Sequence, residues 1–169
     1  MRPVLTLPPD IYISLEHDLL GVKADKARWS VKVPYYFMIT TVADWTVNNG
    51  MRTQVVTFST GTAKDSSSLG YSQASLMLIF SPGADVKVFS DFWRNNLRLP
   101  DGAQPRKPLG VRGLEVQYHL DRQKMMHTEF VSWGVKQGAF AIAYLGNDGT
   151  YQKNRQHFVD FVNQLQTDQ

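Results

Sequence analysis

The residues best suited to chemistry lie close together. His119 and His127 flank a polar turn, and Glu129 follows two positions later. With the turn centred on Gln123, the flanking segments pair Leu120 with Met126, Tyr118 with Thr128 and Val116 with Phe130, a mostly apolar face. The other face then pairs His119 with His127, Gln117 with Glu129 and Glu115 with Val131. A slip of one residue sends a strand's side chains to the opposite face, so the apolar pairing selects this register. Directly opposed residues hold their Cβ atoms ~4.5–5.5 Å apart, near enough for two imidazoles and a carboxylate to share a zinc ion. The competing reading, the polar outer face of a half-exposed sheet, needs no metal and is the one adopted. His119, His127 and Glu129 remain the candidates for a small metal-dependent or hydrolytic enzyme. His17 and His157 are isolated, and no cofactor is expected.

Other catalytic patterns are missing. Gly70-Tyr71-Ser72-Gln73-Ala74 approaches a nucleophile elbow but sits at the start of a predicted strand, not at a strand-to-helix turn. There is no phosphate-binding loop, dinucleotide fingerprint or H-E-x-x-H. Three Glu occur in the chain, and Asp85, Asp101, Asp121 and Asp148 fall in predicted turns and caps, where turn chemistry accounts for them. With no cysteine, thiolate nucleophiles, thiolate metal sites and disulfides are excluded.

Charge marks a different place. The chain carries 18 Lys and Arg against 15 Asp and Glu. Arg94, Arg98, Arg106, Lys107 and Arg112 stand against Asp101 alone between residues 94 and 113, a balance of +4; the remainder of the chain is at −1. Pro100, Pro105 and Pro108 lie in the same stretch, which reads as a loop-rich connection. Such a cluster steers an anionic partner over about one Debye length, ~8–10 Å. An acidic protein surface suits it better than nucleic acid, for which the basic surplus is small and aromatic interleaving is absent. Trp93, adjacent to Phe92 on a predicted helix, is the candidate exposed anchor beside these cations, since neighbours on a helix diverge by ~100°. The run Tyr35, Tyr36, Phe37 is a second candidate.

The elements that must position these residues follow from periodicity. At 169 residues the chain is one domain, on a scale of ~100–200 residues per domain. Residues 1–28 form an N-terminal arm whose conformation periodicity leaves open among edge strand, short helix and extended segment. Residues 29–169 form the domain. Trp29, Val31 and Val33 alternate with polar residues up to Pro34 and predict a half-buried strand. Strands are predicted over 36–47 and 51–59, with Asn49-Gly50 as a tight hairpin turn between them. Residues 61–70 form a loop, followed by a strand over 71–80. Asp85 caps a helix near 85–97 with Val86, Phe89, Trp93 and Leu97 on one stripe. Strands over 114–120, 125–135 and 139–145 follow. Thr150 caps a closing helix near 150–166, with Tyr151, Phe158, Phe161, Val162 and Leu165 inward. Short connections require antiparallel pairing, and the pattern predicts an α+β domain with the helices covering one sheet face.

In its order of elements the chain resembles the PsbP-like superfamily. That group includes the extrinsic PsbP subunit of photosystem II, a Ran-binding transport factor, DcrB-like envelope proteins and adaptor chaperones of type VI secretion effectors. The residues that carry the likeness are Gly113-Leu114-Glu115-Val116-Gln117-Tyr118, the long segment Met125 to Val135, the glycine-led segment Gly138 to Tyr144 and the closing helix Thr150 to Gln166. The opening Trp29-Ser30-Val31-Lys32-Val33-Pro34 and the helix Asp85–Leu97 fall where the family has its first strand and mid-domain helix. The resemblance spans about residues 29–166. It implies an α/β/α sandwich around an antiparallel sheet of about six to seven strands, and action by binding and assembly. The function expected is thus a non-enzymatic module docking on a larger envelope, secretion or membrane-associated complex or on a client; a lipid-binding or small-molecule-binding domain is a further alternative. No apolar run reaches ~18 residues, so no transmembrane helix is expected. Met1 to Asp10 does not read as a signal peptide. The compartment is periplasmic or envelope-associated if a leader was removed, and cytoplasmic otherwise.

Overall fold

Two antiparallel meanders meet edge to edge in a computed structural model that describes residues 11–16, 19–24, 29–34, 38–46, 50–59, 75–100, 104–109 and 114–167. Among these residues the chain runs β1 (Ile11–Glu16), β2 (Leu19–Ala24), β3 (Trp29–Pro34), β4 (Met38–Thr46), β5 (Arg52–Ser59), β6 (Ser75–Pro82), α1 (Val86–Asn96), β7 (Gln104–Leu109), β8 (Leu114–Asp121), β9 (Met126–Val135), β10 (Gly138–Asn147), α2 (Asp148–Gln164) and β11 (Gln166–Thr167). The fold is α+β on an antiparallel sheet, with strand order β4-β5-β6-β10-β9-β8-β7. The meander β4-β5-β6 joins the meander β7 to β10 through β6 and β10, which pair from Gly138 opposite Pro82 to Leu145 opposite Ser75. No helix among the described residues is long and apolar enough to cross a membrane.

Helix α1 carries the chain from β6 to the far edge and packs over β9 and β10 on the way. It starts as its sequence dictates: the Asp85 carboxylate accepts from the Lys87 and Val88 N–H groups at 3.0 and 3.1 Å. That contact satisfies two donors the first turn leaves free. Its inward Phe89 and Trp93 pack on Val55, Ile79, Phe130, Ala139, Ala141 and Ala143. The three alanines alternate along β10 with Phe140, Ile142 and Tyr144, which belong to the opposite core. That core holds Tyr151, Phe158, Val162 and Leu165 of α2 against Phe58, Leu78, Phe80 and Trp133. Small residues thus let the bulky α1 side chains approach one face, while aromatics fill the other; Phe80 and Phe140 stack at 4.5 Å.

Placing the helices on opposite faces corrects the expectation that both cover one. The reason is visible in β9 and β10, where consecutive residues are buried regardless of parity. A sheet covered on both sides has no polar face to alternate with.

Residues 11–16 and 19–24 pair as a hairpin, and β2 pairs with β3 from Leu19 opposite Pro34 to Ala24 opposite Trp29, forming a second sheet. That second sheet has order β1-β2-β3-β11, and Val31 of β3 joins the α2-side core. The stretch after α1 is more than a connection, because β7 forms the sheet edge beside β8. Pro105 and Pro108 hid it, and proline is tolerated on an edge strand, where one side needs no donor. Finally α2 begins at Asp148 directly after β10, so Thr150 lies inside the helix and does not cap it. The described β4–β5 register runs from Met38 opposite Ser59 to Thr46 opposite Arg52. Asn49, the loop over 61–70 and the Tyr35–Phe37 run lie outside the described residues.

One surface pair offers a direct check on the β4–β5 register. Arg52 donates from Nε and Nη2 to Asp44 at 3.0 and 2.7 Å, and Gln54 Nε2 donates to the same carboxylate at 3.3 Å. The Arg52 hydrogen bonds hold the Asp44 carboxyl below its ordinary value of 3.8. A carboxyl depressed in the folded state stabilises fully above its unfolded value and loses that contribution as pH falls through the folded one. Asp44→Asn should therefore cost about 0.2–1 kcal/mol at neutral pH, the range of a half-exposed pair. Urea melts from about pH 6 to about pH 2 should show wild type and variant converging at the acid end; a constant gap would disprove the pairing.

Candidate functional site

The register of β8 and β9 decides which chemical groups meet. Leu120 stands opposite His127, Tyr118 opposite Glu129, His119 opposite Thr128 and Gln117 opposite Phe130, one residue off the expected pairing. The turn sets it. Asp121 accepts from the Gln123 and Lys124 N–H groups at 3.0 and 3.2 Å, and Met125 takes a left-handed φ of 50°. Residues 122–125 thereby close the hairpin by local side-chain-to-backbone bonding. As a result His127 and Glu129 face α2, while His119 lies on the other face with Gln117 and Phe130. The zinc-sharing arrangement of His119, His127 and Glu129 is therefore not formed. No group of three or more His, Asp or Glu suited to a metal occurs among the described residues.

On the α2 side a polar network ties the helix to the sheet. His127, 4% exposed, has Nδ1 at 2.6 Å from the Tyr118 hydroxyl and Nε2 at 2.8 Å from Asp148 Oδ1. For a neutral imidazole the tautomer that satisfies both contacts carries its hydrogen on Nε2, donating to Asp148, and accepts at Nδ1 from the phenol. The ring stacks on Tyr151 with centroids 4.2 Å apart and planes 5° from parallel. Asp148 sits in the first turn of α2, where a carboxylate also complements the helix dipole. Beneath this, Arg155 donates from Nε and Nη2 to Glu129 Oε1 at 3.1 and 3.0 Å. Burial alone would lower the Arg155 guanidinium, but the Glu129 charge and hydrogen bond outweigh it and hold it above its ordinary value. Tyr144 donates to the Tyr151 carbonyl at 2.9 Å, and burial pushes its hydroxyl well up, aided by Tyr151 and Glu129. Both His127 ring nitrogens are engaged and the ring is covered, so the arrangement clamps the start of α2 onto β8 and β9.

The basic stretch takes a different form. Arg94 lies in the last turn of α1, half-buried, and Arg98 is exposed just past it with a φ of 57°. Arg106 and Lys107 are on edge strand β7, Arg106 opposite Val116; their side chains, Arg112 and the side chain of His157 lie outside the described residues. Trp93 is no exposed anchor. It is 6% exposed, in the core beneath α1, with the half-buried Phe92 edge-on at 5.4 Å.

Under the same end of α1 is a cavity of about 170 Å³ lined by Ser90 and Arg94 of α1, Gln117 of β8, and Phe130 and Ser132 of β9. The Ser90 and Ser132 hydroxyls are hydrogen-bonded to each other across it. Sequence reasoning reached Arg94 but missed the rest. The one signal on offer was the four-residue spacing of Ser90 and Arg94, which puts them on one helix face; that Gln117 and Ser132 face them depends on the β8–β9 register.

The fold and these two clusters define an α+β protein built on an antiparallel sheet. Comparison with protein-family models, with curated proteins and with solved structures finds no match for this chain.

Proposed function

We propose that the protein is a non-enzymatic binding module, an α/β/α sandwich of the PsbP-like kind, that docks on an acidic surface of a larger complex or client protein. The feature that carries this reading is the run of cations between Arg94 and Arg112, set against Asp101 alone. Arg94 lies in the last turn of α1 and Arg98 just past it, and edge strand β7 follows with Arg106 and Lys107. The buried and doubly engaged His127 supports a framework role for the histidine that an enzyme reading would need. A basic edge of this kind sets association rate and partner choice through long-range attraction, which salt screens.

The test compares the tagged wild-type chain with a triple variant carrying Arg98→Glu, Arg106→Glu and Lys107→Glu, recovered from the native host and quantified by mass spectrometry. A specific acidic partner should be retained by wild type and lost from the variant, and its affinity should fall about tenfold or more on charge reversal and decline with ionic strength. Equal recovery of the same partners by both chains, with both folded, would remove the basic end from the interface.

A further inference from the structure

The cavity under α1 carries an inference of its own. Its cation is the Arg94 guanidinium, which forms no ion pair or side-chain hydrogen bond among the described residues. No carboxylate is present among the described cavity-lining residues. The remaining described polar groups are neutral: the paired Ser90 and Ser132 hydroxyls and the Gln117 amide, whose Oε1 is buried without a hydrogen-bond partner. A buried amide left short of partners costs free energy that a ligand or a rearranged contact recovers. Phe130 borders the space from the core side and is itself buried. The volume is several times the roughly 30 Å³ that one water occupies in the liquid, so the space admits a small organic molecule.

From this lining we infer that the cavity binds a small hydroxyl-bearing monocarboxylate. One guanidinium among neutral partners balances a single negative charge, and its planar fork matches a carboxylate in two parallel hydrogen bonds. A dianionic phosphate would bring a second charge with no cation to meet it among the described lining residues. Once Arg94 holds the carboxylate, the serine pair and the Gln117 amide are left to exchange hydrogen bonds with a neutral hydroxyl. A few convergent polar groups of this kind fix a small ligand's orientation. Arg94 is common to this site and to the protein-docking reading, but the docking test reverses Arg98, Arg106 and Lys107 and leaves Arg94 in place, so the two can fail independently.

The experiment titrates the full-length chain with four probes and follows backbone amide resonances: lactate, propionate (lactate without its hydroxyl), lactamide (lactate without its charge) and inorganic phosphate. Lactate should give a saturable shift centred on Ser90, Arg94, Gln117 and Ser132. Propionate should bind about three- to tenfold more weakly, the loss of one buried hydrogen bond, and lactamide at least about tenfold more weakly, the loss of a charge-assisted one. Arg94→Gln, checked for an unchanged melting temperature, should reduce lactate to the level of lactamide. The inference is overturned if lactate at about 10 mM gives no saturable shift at these residues, an affinity too weak for a built site. It is equally overturned if phosphate binds more tightly than lactate, or if propionate or lactamide binds as well as lactate does. Because all four probes are compared on wild type, a failure of Arg94→Gln to fold leaves the inference open to refutation.

Discussion

Gly138→Ala should cost about 3 kcal/mol or more, the largest effect expected from a change of one methyl group here. Gly138 opens β10 opposite Pro82 with a φ of +153°. A Cβ at that position would meet the Ser81 carbonyl oxygen at 2.2 Å, the Gly83 nitrogen at 2.8 Å and the Pro82 Cα at 3.0 Å. All three are backbone atoms, held where the Gly83 N–H donates to the Gln137 carbonyl at 2.8 Å, so none can swing aside like a flexible side chain. Gly83→Ala is the control. Its φ of +69° is also unfavourable for alanine, but nothing lies within 4 Å of the added Cβ. That variant should lose only about 1 kcal/mol, the conformational term by itself. Urea unfolding of both would separate the two causes, and equal losses would mean that the close approach of β10 to the end of β6 is wrong.

Arg155→Ala should destabilise the protein by about 3 kcal/mol, the lower part of the range for stranding one member of a buried ion pair. Glu129 is wholly buried in the sheet, whereas the Arg155 side chain is 29% exposed, so water can partly replace the guanidinium and moderates the loss. Removing both charges with Glu129→Leu and Arg155→Leu should recover most of the deficit, because desolvating a carboxylate is expensive and an apolar pair avoids it. A double-mutant cycle by chemical denaturation checks this. A single-variant cost below about 1 kcal/mol, the level of a surface pair, would show that the contact does not hold α2 to the sheet.

Legibility in the sequence varied with how local the cause was. Asp85 and the Phe89–Trp93 stripe announced α1, because a cap and a four-residue spacing act within one helix. Apart from β7, which its prolines hid, the strands from Arg52 to Asn147 were found within a few residues, because alternation also acts within one element. Pairing was harder. Apolar matching placed Val116 opposite Phe130, but Phe130 packs toward α1 and Val116 toward α2. With both faces covered, hydropathy cannot choose between registers one residue apart, and Asp121 with the left-handed Met125 decides. That one step separated His119 from His127 and dissolved the metal reading. Trp93 was misplaced because two adjacent aromatics do not reveal which turns inward. The cavity was out of reach, since it joins Ser90 to Ser132 and Gln117 through a register that the letters left undetermined.

The seam between the two meanders has a consequence for synthesis. As the chain leaves the ribosome, β6 emerges with Leu76, Leu78, Ile79 and Phe80 along it and with β5 as its partner on one side only. Its other neighbour, β10, is translated some sixty residues later, after α1 and three further strands. Until then an apolar strand presents an open edge, the kind of surface that recruits a second nascent chain. Closure depends on contacts remote in sequence, which slows folding. The last strand of the large sheet to be made is the one that seals it, so nascent chains halted before Gly138 should be the aggregation-prone species.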